Sequence, residues 1–374
     1  MTTSADVLII GGGVIGSSIA FNLLQDGFKG RVLVIERDSS YQFASSALAM
    51  GGVRQQFMSA VNIGLVQYSL KVLEQFPECH FRQRGYLFLA TESNWEKLNR
   101  RYDIQKSLGA ECEMLAVADV RRLVPELRSD DLLGGLFGPK DGYVDPRATL
   151  RAFRTRAEQL GAIYVSDKVD KIESGYAHAV KSGRIGAGRI VIAAGAYSGV
   201  VAKSAGVEVP IAPVRQQLFR CALPRPWPYE FPVVIDPGGV HWRSSPHDEI
   251  VIAKTNPDEP PGFRFGCDFD RFHQEFMPPL VHRLPEFRGL RPVFGWGGLY
   301  EMTPDHNGII DRIPGTAGVY IAAGFSGHGL MMSAATGKLM SELIRTNKFE
   351  TVDASVLSFS RFARNQLFWD EAMI

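Results

Sequence analysis

The segment Leu8-Ile9-Ile10-Gly11-Gly12-Gly13-Val14-Ile15-Gly16-Ser17 constrains this chain more than any other. It opens as an unbroken apolar run, the pattern of a strand buried on both faces. A glycine turn follows, and then a helix start. A second apolar strand, Val32-Leu33-Val34-Ile35, ends at Glu36, twenty residues past Gly16. Strand, G-x-G-x-x-G turn, helix, strand and acid in that order make a dinucleotide-binding β-α-β unit. Gly11 permits the tight turn, Gly13 lets backbone approach a pyrophosphate, and Gly16 lets the helix pack close to the strand. Val14 and Ile15 open a helix whose free N–H groups and positive dipole end suit two phosphates. Glu36, followed by Arg37, is placed to accept hydrogen bonds from a ribose. A plain strand–helix turn requires none of this spacing.

The charge balance narrows the partner. The 374 residues carry 41 basic and 40 acidic side chains, a formal net charge of +1, so no global field draws nucleic acid or a membrane surface. That length suffices for two domains. The apolar runs are too short or too glycine-rich to span a bilayer, and the start of the chain lacks the basic region of a signal peptide. Cys79, Cys112, Cys221 and Cys267 form no C-x-x-C pair, and the histidines show no metal-ligand spacing. No metal is expected. The cysteines read as reduced thiols, and the chain as cytoplasmic.

Asp38 to Gly52 is rich in Ser, Ala and Gly and reads as a loop passing close to something, not a packed helix. Helical spacing covers 60–76, 93–108 and 117–124, and Asp145-Pro146 opens a helix running to Leu160. Residues 85–90 read as a strand, and Arg189 to Ala194 as a buried strand ending at Gly195. From 211 to 302 strands dominate, with one helix near 269–283; a strand at 319–323 and a helix over 330–344 restore the α/β pattern. The pattern predicts an α/β (α+β) fold. A Rossmann-like dinucleotide domain of the glutathione-reductase type, without a P-loop, takes in 1–80, 143–212 and 303–374. A second, β-rich substrate domain takes in 81–142 and 213–302.

The segment Gly324-Phe325-Ser326-Gly327-His328-Gly329-Leu330-Met331 follows the last buried strand and enters a helix. Its glycines leave room for a flat ligand against the backbone. The helix start suits the pyrimidine side of a flavin, whose ring becomes anionic on reduction. His328 reads as a cofactor contact.

Together with Gly11 to Gly16, four further runs carry a resemblance: Gly51-Gly52-Val53-Arg54-Gln55-Gln56-Phe57, Gly85-Tyr86-Leu87-Phe88-Leu89, Ala193-Ala194-Gly195-Ala196-Tyr197, and Gly297-Gly298-Leu299-Tyr300 with Thr303-Pro304-Asp305. With Gly324 to Met331, they resemble the D-amino-acid-oxidase-like FAD-dependent oxidoreductases over nearly the whole chain. The branch they resemble is that of sarcosine oxidase β subunits and L-proline dehydrogenase β subunits. The resemblance implies FAD extended in the first domain, its ring facing the β-rich one. It implies Ser45, Ser46, Leu48, Ala49, Gly51 and Gly52 along flavin and pyrophosphate, Val169 at the adenine, and Ala194 and Gly195 beneath the cofactor. Gly324, Gly327, His328, Gly329, Leu330 and Met331 would hold the ring. Arg54 matches the family's arginine for substrate carboxylate, a role suited to a planar, permanently charged guanidinium. Tyr300 corresponds to a pocket tyrosine. Trp242 falls where relatives place a pocket aromatic, although strand alternation puts His241 and Arg243 on one face and Trp242 on the other.

Gly298 stands where some sarcosine oxidases tether the flavin through cysteine, so FAD is expected to be non-covalent here. Lys254 is the nearest candidate for the lysine with which some oxidases activate oxygen, and it reads as an exposed strand-end residue. Met331 replaces a lysine of some relatives, and Asp311 a glycine of many. The implied activity is FAD-dependent oxidation of a small carboxylated secondary amine, of the sarcosine, proline, iminodiacetate or N-methyl amino acid type. Hydride passes to flavin N5 and the imine hydrolyses. Arg54, Tyr300, Trp242 and His328 would face the substrate, and oxygen or a carrier protein would take the electrons. The alternative is a flavoprotein subunit or assembly factor of a larger electron-transfer complex. The oligomeric state stays open.

Overall fold

A computed structural model describes residues 4–372. Its first sheet is built around the N-terminal strand Ser4–Ile10. That strand pairs in parallel with Val32–Glu36 on one side and Gly183–Ile192 on the other. Ile163–Ser166 and Val319–Ala323 extend the parallel sheet outward, and Ile309–Arg312 closes one edge antiparallel. Alternate residues of the central strands enter two separate cores: Val7, Ile9, Val32 and Val34 go to one, and Leu8, Ile10, Leu33 and Ile35 to the other. Burial on both faces is why these strands read as continuous apolar runs.

Helix Val14–Gln25 packs between helices Pro146–Gln159 and Ser333–Thr346. Gly337 makes the last crossing close, since a Cβ there would overlap the Ser18 side chain. Helix 146–159 starts as its sequence requires, with Pro146 in the first turn and the Asp145 carboxylate accepting from the Ala148 amide at 2.8 Å. Helices Val14–Gln25 and Ser333–Thr346 therefore start beside the carboxyl ends of strands Ser4–Ile10 and Val319–Ala323, which flank Gly183–Ile192, the place where open α/β sheets bind ligands.

The second sheet runs in the order 292–302, 212–222, 249–254, 240–245, 233–235, 86–91, 132–138, 113–115. One face packs on Phe272, Phe276, Leu280, Leu284 and Phe287. The helix expected over 269–283 is continuous but widens to a π turn over Phe272–Phe276. The 38–52 expectation needs correction, because Ser45–Leu48 forms one short helical turn. Ser45, Ser46 and Ala47 are small enough to wind against helix Pro146–Gln159 without bulk, and composition alone could not separate that from open loop.

The end of the chain is pinned to the rest of the fold. Arg361 donates to the buried Asp305 carboxylate at 2.7 and 3.0 Å. Asp311 accepts from the Phe359 amide at 2.8 Å. Asp311 thus anchors the C-terminal segment.

Candidate active site

Between the two sheets runs a long cavity, bordered by both glycine turns. At one end Gly11 has φ +104° and no space for a side chain, since an added Cβ would lie 2.8 Å from the Ala194 Cα. Gly13 brings the helix start to the cavity, where Ser46 Oγ accepts from the Val14 amide at 3.1 Å. Glu36 accepts from the Gly12 amide at 2.7 Å and the Asp38 amide at 2.9 Å. Burial raises its pKa, and those amides pull it back. Beyond it the Arg37 guanidinium lies 3.5 Å from the centre of the Tyr197 ring, which stacks on Phe263 at 4.3 Å. With Val169 these groups make a flat-walled end suited to a purine.

The other end is polar and more deeply buried. Arg54 is 1% exposed. It donates to the carbonyls of Gln56 and Ala372, each at 2.7 Å, and lies against the Phe57 ring. No carboxylate lies within ion-pair distance of it among the described residues. Burial lowers its pKa, and the Tyr86 hydroxyl and the more distant Asp370 and Asp141 partly compensate. Its Nη2 is 3.4 Å from His328 Nε2. A guanidinium only donates, so Nε2 accepts and the ring proton sits on Nδ1, which has no hydrogen-bond partner. Burial and the Arg54 charge push the His328 pKa down to about 3, so the ring is neutral at ordinary pH. Tyr300 packs under Gly327, where a Cβ would come 2.5 Å from its ring. Burial pushes its phenol up to about 12.

Nearly all the residues expected at the cofactor border this cavity: Gly11, Gly13, Val14, Ile15, Glu36, Arg37, Ser45, Ser46, Leu48, Ala49, Gly51, Gly52, Val169, Ala194, Gly195, Gly298, Gly327, His328, Gly329, Leu330 and Met331. Arg54 and Tyr300 border it too. Three expected residues do not. Gly16 packs against the Gly11 carbonyl, so its contribution is helix–strand proximity. Gly324 faces Thr303. Trp242 is wholly buried in the second sheet's core, opposite Val234 and Ile252. Strand alternation sends its neighbour His241 to the cavity instead, while Arg243 holds the Met50 carbonyl at 2.7 Å, next to Gly51-Gly52. Burial lowers His241 to about 4. The Lys254 ammonium is directed to the Glu275 carbonyl at 3.3 Å.

Sequence reasoning assigned no role to Tyr86, His241 or Glu301, which also border the cavity. Tyr86 lies within a quoted motif, and His241 was marked by alternation; Glu301 follows Tyr300 and carried no signal.

Behind Arg54 lies Asp141, fully buried, with Oδ1 accepting from the Gln55 amide at 3.0 Å and Oδ2 unpartnered. Burial pushes its pKa up to about 8, so it is protonated at neutral pH. The unfolded carboxyl ionises from about pH 4 while the folded one does not, and stability falls as pH rises by at most about 1.4 kcal/mol per unit until the folded carboxyl ionises too. Asp141→Asn is expected to raise the unfolding temperature near pH 8, with a gain that shrinks toward pH 5. A gain that does not change with pH counts against a protonated Asp141.

The cavity suits FAD on its own geometry. Glycines replace side chains at both turns, a slot walled by Arg37, Tyr197 and Val169 lies beyond Glu36, and buried polar atoms of Glu301 and His328 lack partners. No cysteine borders it, so no thioether to the flavin can form there, and burial raises the thiols of Cys79 and Cys112 to about 11 and of Cys221 to about 12. No metal-binding cluster occurs among the described residues, and none of their helices is long and apolar enough to cross a membrane.

Comparison with known proteins agrees with this geometry. The family model described as DAO, FAD dependent oxidoreductase, matches residues 6–343. The FAD-dependent oxidoreductase domain-containing protein 1 homolog of Drosophila melanogaster is 31% identical, over 97% of this chain and 80% of the fly protein. Glycine oxidase of Geobacillus kaustophilus is 27% identical, over 96% of this chain and 98% of its own. The crystal structure of L-proline dehydrogenase from P. horikoshii superposes with a TM-score of 0.91 at 26% identity, covering 98% of this chain and 100% of that one. With a dinucleotide turn, a long cavity bordered by both glycine turns and a family match along most of its length, the chain belongs to the DAO family of FAD-dependent oxidoreductases, enzymes related to amino-acid oxidases and dehydrogenases.

Proposed function

We propose that this enzyme oxidises a small amine that carries a carboxylate, a secondary amine of the sarcosine, proline, iminodiacetate or N-methyl amino acid type. The observation that carries the reading is Arg54, a buried guanidinium at the flavin end of the cavity with no carboxylate within ion-pair distance among the described residues. A buried cation of this kind is costly alone and is stabilised by an anionic ligand. The names of the relatives, glycine oxidase and L-proline dehydrogenase, point to the same substrate class.

FAD, when bound, supplies the hydride acceptor. The chain's own residues bind and orient. Arg54 holds the carboxylate through its remaining N–H donors, and the buried Tyr86 and the half-buried Tyr300 close the site around it. With His328 and His241 neutral, neither ring adds a charge beside the amine, and hydride loss requires the neutral amine. Fixing the carboxylate at one point and the amine by exclusion orients the reacting carbon.

The FAD-loaded protein is expected to lose its visible flavin absorbance when such amines are added without oxygen. The corresponding amines lacking the carboxylate should leave it unchanged. A full panel of carboxylated amines that leaves the flavin oxidised refutes the proposal. Oxygen uptake during turnover then separates an oxidase from a dehydrogenase that passes electrons to a carrier.

A further inference from the structure

The strand carrying Tyr300 places a second polar side chain in the cavity. Glu301 borders it, and its Oε2 is buried without a hydrogen-bond partner. A buried carboxylate oxygen left unpaired is costly, and native structures seldom keep one without a ligand or water to satisfy it. No lysine or arginine pairs with it among the described residues.

Its position defines which part of FAD it meets. Glu301 Oε2 lies 3.9 Å from where Gly195 would carry a Cβ, and Oε1 lies 3.5 Å from the same point of Gly329. Gly195 follows Ala193-Ala194, which abut the Gly11 turn, while Gly329 belongs to the C-terminal cradle. The carboxyl thus stands between the diphosphate turn and the ring cradle. A diphosphate would repel it, and the ring belongs to the cradle beyond. The portion of FAD that bridges the two is the uncharged ribityl chain with its hydroxyls. We propose that Glu301 is a binding residue for the polyol linker of FAD, hydrogen-bonded to a ribityl hydroxyl.

Burial raises the carboxyl to about 7, with the Gly324 and Phe325 amides offsetting only part of the effect. Either protonation state serves a hydroxyl: the ionised carboxylate accepts from it, and the protonated acid donates to it. The missing side chains at Gly195 and Gly329 leave the polyol its width.

The test compares full-length wild type, Glu301→Gln and Glu301→Met. FAD release from each holoprotein is followed by recovery of flavin fluorescence on dilution. ADP binding to each stripped protein is measured alongside, because ADP has the adenosine and diphosphate but no polyol. Glu301→Gln, which both donates and accepts, should hold FAD within a few-fold of wild type. Glu301→Met should hold it about tenfold more weakly or worse, with ADP affinity unchanged. Wild-type FAD affinity in Glu301→Met overturns the proposal. So does a matching loss of ADP, which marks a structural role. Neither readout depends on any amine being turned over, so the substrate reading stands or falls separately.

Discussion

Arg54→Met is expected to raise KM for a carboxylated amine by about two to three orders of magnitude while FAD content and fold are retained. Each hydrogen bond from a charged donor contributes about 1.5–3 kcal/mol, and Arg54 has two N–H donors not engaged by Gln56, Ala372 or His328, so the substitution loses up to two such bonds at once. At about 1.4 kcal/mol per tenfold change, the loss reaches that range. Methionine keeps much of the volume against Phe57, so the packing term stays small. Arg54→Lys keeps the charge but loses the planar, fixed set of donors, and it should fall between the two. Since Arg54 also holds the Gln56 and Ala372 carbonyls, unfolding temperature must be followed alongside. An amine without the carboxylate is the internal control, because its KM should be indifferent to the substitution. If KM for the carboxylated amine does not move, Arg54 has another task and the proposed substrate class loses its support.

Gly11→Ala should yield protein that is free of FAD and less stable by about 3 kcal/mol or more. The added methyl meets the Ala193 carbonyl, which is backbone held in the parallel sheet and unable to give way. It also puts a side chain on φ +104°, a region that L-residues avoid. Gly16→Ala should act similarly, because its methyl overlaps the Gly11 carbonyl oxygen. Gly109→Ala is the contrast: φ is +80°, but nothing lies within 4 Å, so only the backbone cost of about 1–2 kcal/mol remains and FAD should stay bound. Flavin content after purification and a urea midpoint separate the two cases. FAD-replete Gly11→Ala protein of wild-type stability would contradict the tight-turn account.

Much of the site was legible where local chemistry is also local in sequence. The first turn was read correctly because strand, glycines, helix start and acid lie within one short β-α-β unit, and each has a backbone reason to be what it is. The C-terminal cradle was legible on the same grounds. Trp242 was misplaced because likeness to relatives argued for the pocket while the period of the strand argued against it, and the period was the physical constraint. Gly324 was taken as a cofactor contact but faces Thr303, whereas Gly16 packs helix on strand as its spacing implied. Glu301 went unseen because one acid in a strand looks like any other until its surroundings are known.

From its sequence alone the chain determined that it binds a dinucleotide on a parallel sheet, since period, glycine placement and the acid at the second strand's end are properties of neighbouring residues. Only the tertiary structure decided what stands opposite what. Arg54, Tyr86, His241, Glu301 and His328 come from distant segments, and it is their burial together between the two sheets that leaves, among the described residues, a guanidinium without a counter-ion, a neutral imidazole and a carboxyl oxygen without a partner. Burial and orientation arise when segments meet, and no short stretch of residues contains them.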